Sequence, residues 1–116
     1  LPDGLLSGPR VLLDETTTQA LGLTFHELAT NALKYGEAAN SVGALRVEWR
    51  VEGPRQARTL ELDWLESGQN GLTAPVRTGF GTRLIDMNIT RELNGTISRD
   101  FRNDGLKVTI RIPLAP

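Results

Sequence analysis

The stretch Leu45-Arg46-Val47-Glu48-Trp49-Arg50-Val51-Glu52 alternates apolar and charged side chains at every step. Successive side chains of a strand point to opposite faces, so a period of two describes a strand with one dry and one wet side. Gly53-Pro54 breaks the pattern, and Leu60-Glu61-Leu62-Asp63-Trp64 resumes it. Two such runs joined by a short polar turn predict a β-hairpin. The core must then lie against one face of this hairpin only.

Upstream, the period becomes helical. Leu21, Phe25, Leu28, Ala32 and Tyr35 recur at helical spacing, and Ala29 and Leu33 widen the stripe. Asp14, with Thr16 to Thr18 behind it, offers capping oxygens for the start, and Gly36 offers a left-handed stop. The apolar run Arg10 to Leu13 predicts a first strand, and residues 1–8, rich in Gly, Pro and Ser, read as a linker ahead of one domain over 9–116. Downstream, Ser67 to Thr78 has no period, and structureless stretches of about a dozen residues are usually functional. Leu84, Ile85, Ile89 and Leu93 predict a second helix over 81–93, ending at Asn94-Gly95. Strands over 96–101 and 106–112 flank Asn103-Asp104-Gly105, a hairpin signal. The order β-α-β-β-loop-α-β-β predicts an α+β fold, a two-layer α/β sandwich with helices on one face of a mostly antiparallel mixed sheet.

The chain has 116 residues, enough for one core. An apolar fraction of 39% and a charged fraction of 23% are those of a globular domain and exclude a disordered tail. Thirteen basic residues face 14 acidic ones, for a net charge of −1, so a nucleic acid or an anionic membrane would gain little by contact. No cysteine is present, which excludes disulfides, thiolate metal sites and a thiol nucleophile and is compatible with a reducing interior. No apolar run is long enough to span a bilayer, and no signal-peptide pattern occurs. The start at Leu1 rather than methionine suggests a piece of a longer chain.

Three places carry chemistry beyond what packing needs. Glu27, Asn31 and Lys34 lie at i, i+4 and i+7, so an acid, an amide and a base share one helical stripe. The stripe has two readings. It is either a solvated face with surface pairs or a site in which the amide oxygen of Asn31 ligates Mg²⁺ and Lys34 meets phosphate. Asn is a poor residue for a helix interior, which favours the second reading. Glu66 follows the inward parity of Leu60, Leu62 and Trp64 yet is a carboxylate. Either the strand ends at Leu65 and Glu66 turns to solvent, or a buried carboxylate awaits a donor such as a nucleobase amino group. Gly79-Phe80-Gly81-Thr82 opens the second helix, where bare backbone N–H groups and the helix dipole suit a phosphate.

Together these motifs resemble one family. Residues 25–36, Phe-His-Glu-Leu-Ala-Thr-Asn-Ala-Leu-Lys-Tyr-Gly, look like the N box of the HWE histidine kinases. Trp64-Leu65-Glu66 matches their W-x-E motif, and Gly79 to Ile85 resembles their G2 box. The resemblance spans about residues 8–114 and implies the Bergerat fold of gyrase, MutL and histidine kinases. It implies Asn31 as the Mg²⁺ ligand, Lys34 as a phosphate contact, and Glu66 as acceptor for the adenine amino group. Tyr35, Phe80 and Thr82 are implied as further nucleotide contacts, and Gly68, Gly79 and Gly81 as lid and phosphate-approach positions. Glu27 stands where related ATPases keep a water-activating carboxylate. The sequence departs from the family at Gln69-Asn70, commonly Gly-Pro, and at Glu37-Ala38-Ala39, commonly Ala-Leu-Ser.

His26, the only histidine, has three readings: phosphoacceptor, site-shaping N-box residue, or core histidine. The resemblance assigns the second, with the acceptor on a separate helical domain. Trp49 and Trp64 both read as core residues. The expectation is therefore a cytoplasmic catalytic domain using ATP and Mg²⁺. Its phosphoacceptor domain lies in the same or a sister chain, with a response regulator downstream and no nucleic-acid or direct membrane contact. Two other outcomes are an ATPase working through Glu27 and a degenerate ATP sensor.

Overall fold

A computed structural model describes residues 6–38, 44–67, 80–102 and 105–114, with the backbone alone for 31–38, 44, 80 and 81. The elements are β1 (Leu6–Ser7), α1 (Glu15–Ala38), β2 (Ala44–Glu52), β3 (Thr59–Ser67), α2 (Phe80–Met87), β4 (Thr96–Arg102) and β5 (Gly105–Pro113). A π-helical turn, Asn88–Glu92, continues α2. The sheet order is β1-β2-β3-β5-β4, in which β1 runs parallel to β2 and the other pairs are antiparallel. This is the expected α+β sandwich.

The alternation in β2 and β3 sets the register. Val47 lies opposite Trp64, and Trp64 lies opposite Val108, so the apolar parity of three strands meets on one face. Leu60, Leu62, Val108, Ile110 and Ile112 are buried there with Leu21 and Leu28 of α1, Ile85 of α2 and Ile89 of the π turn. Full burial of such side chains contributes about 1.5–3 kcal/mol each, which is what presses both helices onto this face. Between β2 and β3 the chain turns through Gly53 at φ +97°, and the Ala57 amide donates to the Pro54 carbonyl at 2.9 Å. A side chain at Gly53 would crowd the Ala57 carbonyl as well as strain the backbone.

Asp14 caps α1 as its sequence suggests. The Thr17 amide donates to Asp14 Oδ1 at 2.8 Å. That bond, then the Thr17 hydroxyl, holds the Asp14 carboxyl below its ordinary value. The far end differs from expectation, because α1 passes through Gly36 to Ala38. Glycine permits this at about 1 kcal/mol relative to alanine, and helical stability here comes from packing. The buried stripe also shifts, with Ala20 and Thr24 inside and Ala29 exposed. Thr24 is satisfied by donating its hydroxyl to the Ala20 carbonyl at 2.8 Å.

Three further expectations are corrected. Arg10 to Leu13 is not a strand; Val11 and Leu13 pack against the core without strand pairing, and β1 is Leu6–Ser7, within the stretch read as linker. The second helix is not uniform, since it gives way to the π turn after Met87, where the Leu93 amide reaches back to the Asn88 carbonyl at 3.1 Å. The Asn88 side-chain nitrogen, Nδ2, is buried there with no partner among the described residues. The stop itself stands: Asn94 takes φ 54°, and the Gly95 amide donates to the Ile89 carbonyl at 2.8 Å. Trp49 is only half-buried, and its indole donates to the Pro9 carbonyl at 2.6 Å, tying the N-terminal segment to β2.

Candidate functional site

β3 does not end at Leu65. It continues through Ser67, and Glu66 sits in register between Leu45 of β2 and Leu106 of β5. That register sends the Glu66 side chain inward, where only 9% of the residue stays exposed. The carboxylate is therefore buried rather than turned to solvent. Trp64, two residues earlier on the same face, donates its indole N–H to Glu66 Oε2 at 2.8 Å. Its ring stacks on Phe25 of α1, with centroids 6.1 Å apart and planes 18° apart. Gly105 opens β5 against the Glu66 carbonyl, and a Cβ there would collide with it. The approach of β5 to the end of β3 thus depends on glycine.

α1 crosses this floor and packs against α2 and the π turn. Positions 27, 31 and 34 fall within its one uninterrupted helix, so the spacing of the stripe is that of a regular turn. Glu27 is half-buried. The side chains of Asn31, Lys34 and Tyr35 lie outside the described residues, as do Gly68 and Gly79 entirely. Phe80 and Gly81 form the first turn of α2, followed by half-buried Thr82. His26 is exposed and so is not a core histidine. With Phe25, Gly22 and Ala29 it borders an open apolar groove of about 790 Å³ between α1 and the β2 half of the sheet. Glu27, one position on, is rotated by about 100° around the helix.

Two features were missed in the sequence. Arg99 of β4 faces inward and donates to Asp86 Oδ1 of α2 at 2.9 Å, anchoring the helix that carries Gly81 and Thr82. The second is the donor role of Trp64. Its signal was present, because residues i and i+2 of a strand share a face and a buried indole N–H usually finds a partner. Among the described residues no group of three or more His, Asp or Glu side chains is placed to hold a metal ion. No described helix is long and apolar enough to cross a membrane.

No family model matches the chain. It is 34% identical over 111 residues, 96% of its length, to a blue-light-activated histidine kinase of Brucella ovis. It is 35% identical over 108 residues to the protein of that name from Brucella anthropi. Over this span the chain is related to the histidine kinases. It spans 23% of the length of the Brucella ovis relative. Among solved structures, the histidine kinase domain of the Erythrobacter litoralis blue-light activated kinase superposes with a TM-score of 0.70 at 20% identity. That match covers 94% of this chain and 50% of the other. The Acinetobacter baumannii histidine kinase AdeS superposes at 0.59 and 18% identity, covering 96% and 53%. At these identities the superpositions establish the fold, that of the histidine-kinase catalytic domain.

Proposed function

We propose that this domain binds Mg·ATP and directs its γ-phosphoryl group to a histidine on a separate helical domain, from which a response regulator receives it. The observation that carries the reading is the inward Glu66 carboxylate, buried and bonded by Trp64, in a chain of histidine-kinase kinship. A buried carboxylate is costly unless it accepts hydrogen bonds, and it suits an amino donor rather than a carbonyl. That chemistry fits adenine. The first turn of α2, begun by Phe80 and Gly81, offers backbone N–H groups suited to phosphate oxygens. Asn31 would ligate Mg²⁺ through its amide oxygen, and Lys34 would supply a point charge to the phosphates. Tyr35, Thr82, Gly68 and Gly79 complete the proposed nucleotide contacts, and Glu27 would orient the reacting groups.

When bound, Mg·ATP supplies the transferable phosphoryl group and a metal charge that offsets the negative charge around it. The protein's part is positioning and electrostatics, because phosphoryl transfer asks little covalent work of it. His26 takes the site-shaping role. Such a domain works in the cytoplasm, where ATP is supplied.

The test is incubation with γ-labelled ATP, alone and with a helical acceptor domain from the same protein. The expected result is label on the acceptor domain and none on this chain. Acid-labile phosphate on His26 would overturn the assignment of the acceptor. Phosphate release without any acceptor would favour the ATPase reading through Glu27.

A further inference from the structure

We propose that Trp64 is a positioning residue for base recognition, its indole N–H holding the Glu66 carboxylate in the orientation that accepts the adenine amino group. The inference rests on the base-reading role of Glu66 proposed above. A glutamate side chain has three rotatable bonds and loses that freedom at a cost when it binds. The Trp64 bond at 2.8 Å restricts the carboxylate before any ligand arrives. The donor is itself held. Trp64 is 4% exposed, lies on the central strand between Val47 and Val108, and has its ring against Phe25. An ionised carboxylate offers about four acceptor positions, of which the indole N–H takes one. The indole is neutral and brings no opposing charge of its own to the carboxylate. On the other face of the same strand Glu61 is met by two guanidinium groups, from Arg50 and Arg111.

The competing account makes Trp64 a packing residue whose N–H happens to be satisfied. Trp64→Phe separates the two, since it keeps an aromatic ring in the core and deletes the donor. Calorimetric titration with Mg·ATP and Mg·GTP would compare wild type, Trp64→Phe, Glu66→Ala and the double variant. Trp64→Phe is expected to weaken ATP binding about fivefold, the scale of one net hydrogen bond. GTP binding should change less, so the preference for ATP shrinks, and the substitution should add nothing in the Glu66→Ala background. Equal losses for both nucleotides, or the same loss in the Glu66→Ala background, would overturn the positioning role in favour of packing. A wild type with no preference for ATP would overturn the Glu66 reading itself, before any variant is made.

The bond can also be read without nucleotide. The indole proton resonance of Trp64 should move upfield in Glu66→Ala while that of Trp49 stays in place. No movement would overturn the proposal even if Trp64→Phe failed to fold.

Discussion

β3 carries three carboxylates that are almost equally buried, Glu61 at 8%, Asp63 at 6% and Glu66 at 9%, yet they lie on opposite faces of the sheet. Glu61 and Asp63 have outward parity. Arg50 contacts both, Arg111 Nη2 lies 2.8 Å from Glu61 Oε2, and the Thr109 hydroxyl donates to Asp63 Oδ1 at 2.9 Å. These contacts cover the open face of the sheet and tie β2, β3 and β5 together. Glu66 has inward parity, near the end of the strand, and accepts from an indole of its own strand. Burial alone therefore does not mark a site. Parity separates the three, because the outward pair ties neighbouring strands together whereas a carboxylate on the helix side is placed for the proposed ligand.

The largest expected effect is on Glu66. A charge-assisted hydrogen bond contributes about 1.5–3 kcal/mol, so Glu66→Ala should weaken ATP binding roughly ten- to a hundredfold by calorimetry. Its melting temperature should change little. Glu61→Ala should do the reverse. ATP affinity stays as in wild type while denaturant unfolding loses about 1–2 kcal/mol, since Arg50 keeps Asp63 and the exposed Arg111 returns to water. If Glu61→Ala weakened ATP binding as much as Glu66→Ala, the division between the two faces would fail.

The smallest effect is at the start of α1 and concerns pH. Bonds from Thr17 lower the folded-state value of Asp14 below its ordinary 3.8. A depressed carboxylate contributes stability above its unfolded value, and that contribution is lost as pH falls through the folded value. Acid unfolding followed by circular dichroism should therefore be shallower below about pH 4 in Asp14→Asn than in wild type. An unchanged acid limb would mean that the cap contributes nothing.

The hairpin of β2 and β3 was legible because alternating side chains report the pleat directly, and the register between Val47, Trp64 and Val108 follows from it. β1 was not, since a two-residue parallel edge strand has no period to read, whereas Val11 and Leu13 of the run read as a strand only pack against the core. The continuation of α1 past Gly36 escaped a rule that treats glycine as a stop, although glycine only permits one. The π turn escaped because the apolar spacing from Leu84 to Leu93 suits one regular helix. At the site, the inward turn of Glu66 depended on whether β3 outlasted Leu65. Pairing on both sides, with Leu45 and Leu106, decides that, and no local pattern reports it. Asn31 and Lys34 remain legible as a helical spacing, within an α1 that runs unbroken through both.

The most direct test of the account is the ratio of ATP to GTP affinity for wild type and for Glu66→Gln, measured by calorimetry with Mg²⁺ present. A carboxylate accepts but does not donate, so it favours the adenine amino group over the guanine carbonyl, whereas an amide can turn to donate. The account predicts that wild type prefers ATP and that Glu66→Gln narrows the gap between the nucleotides with the fold intact. Equal affinity of the wild type for ATP and GTP would contradict it.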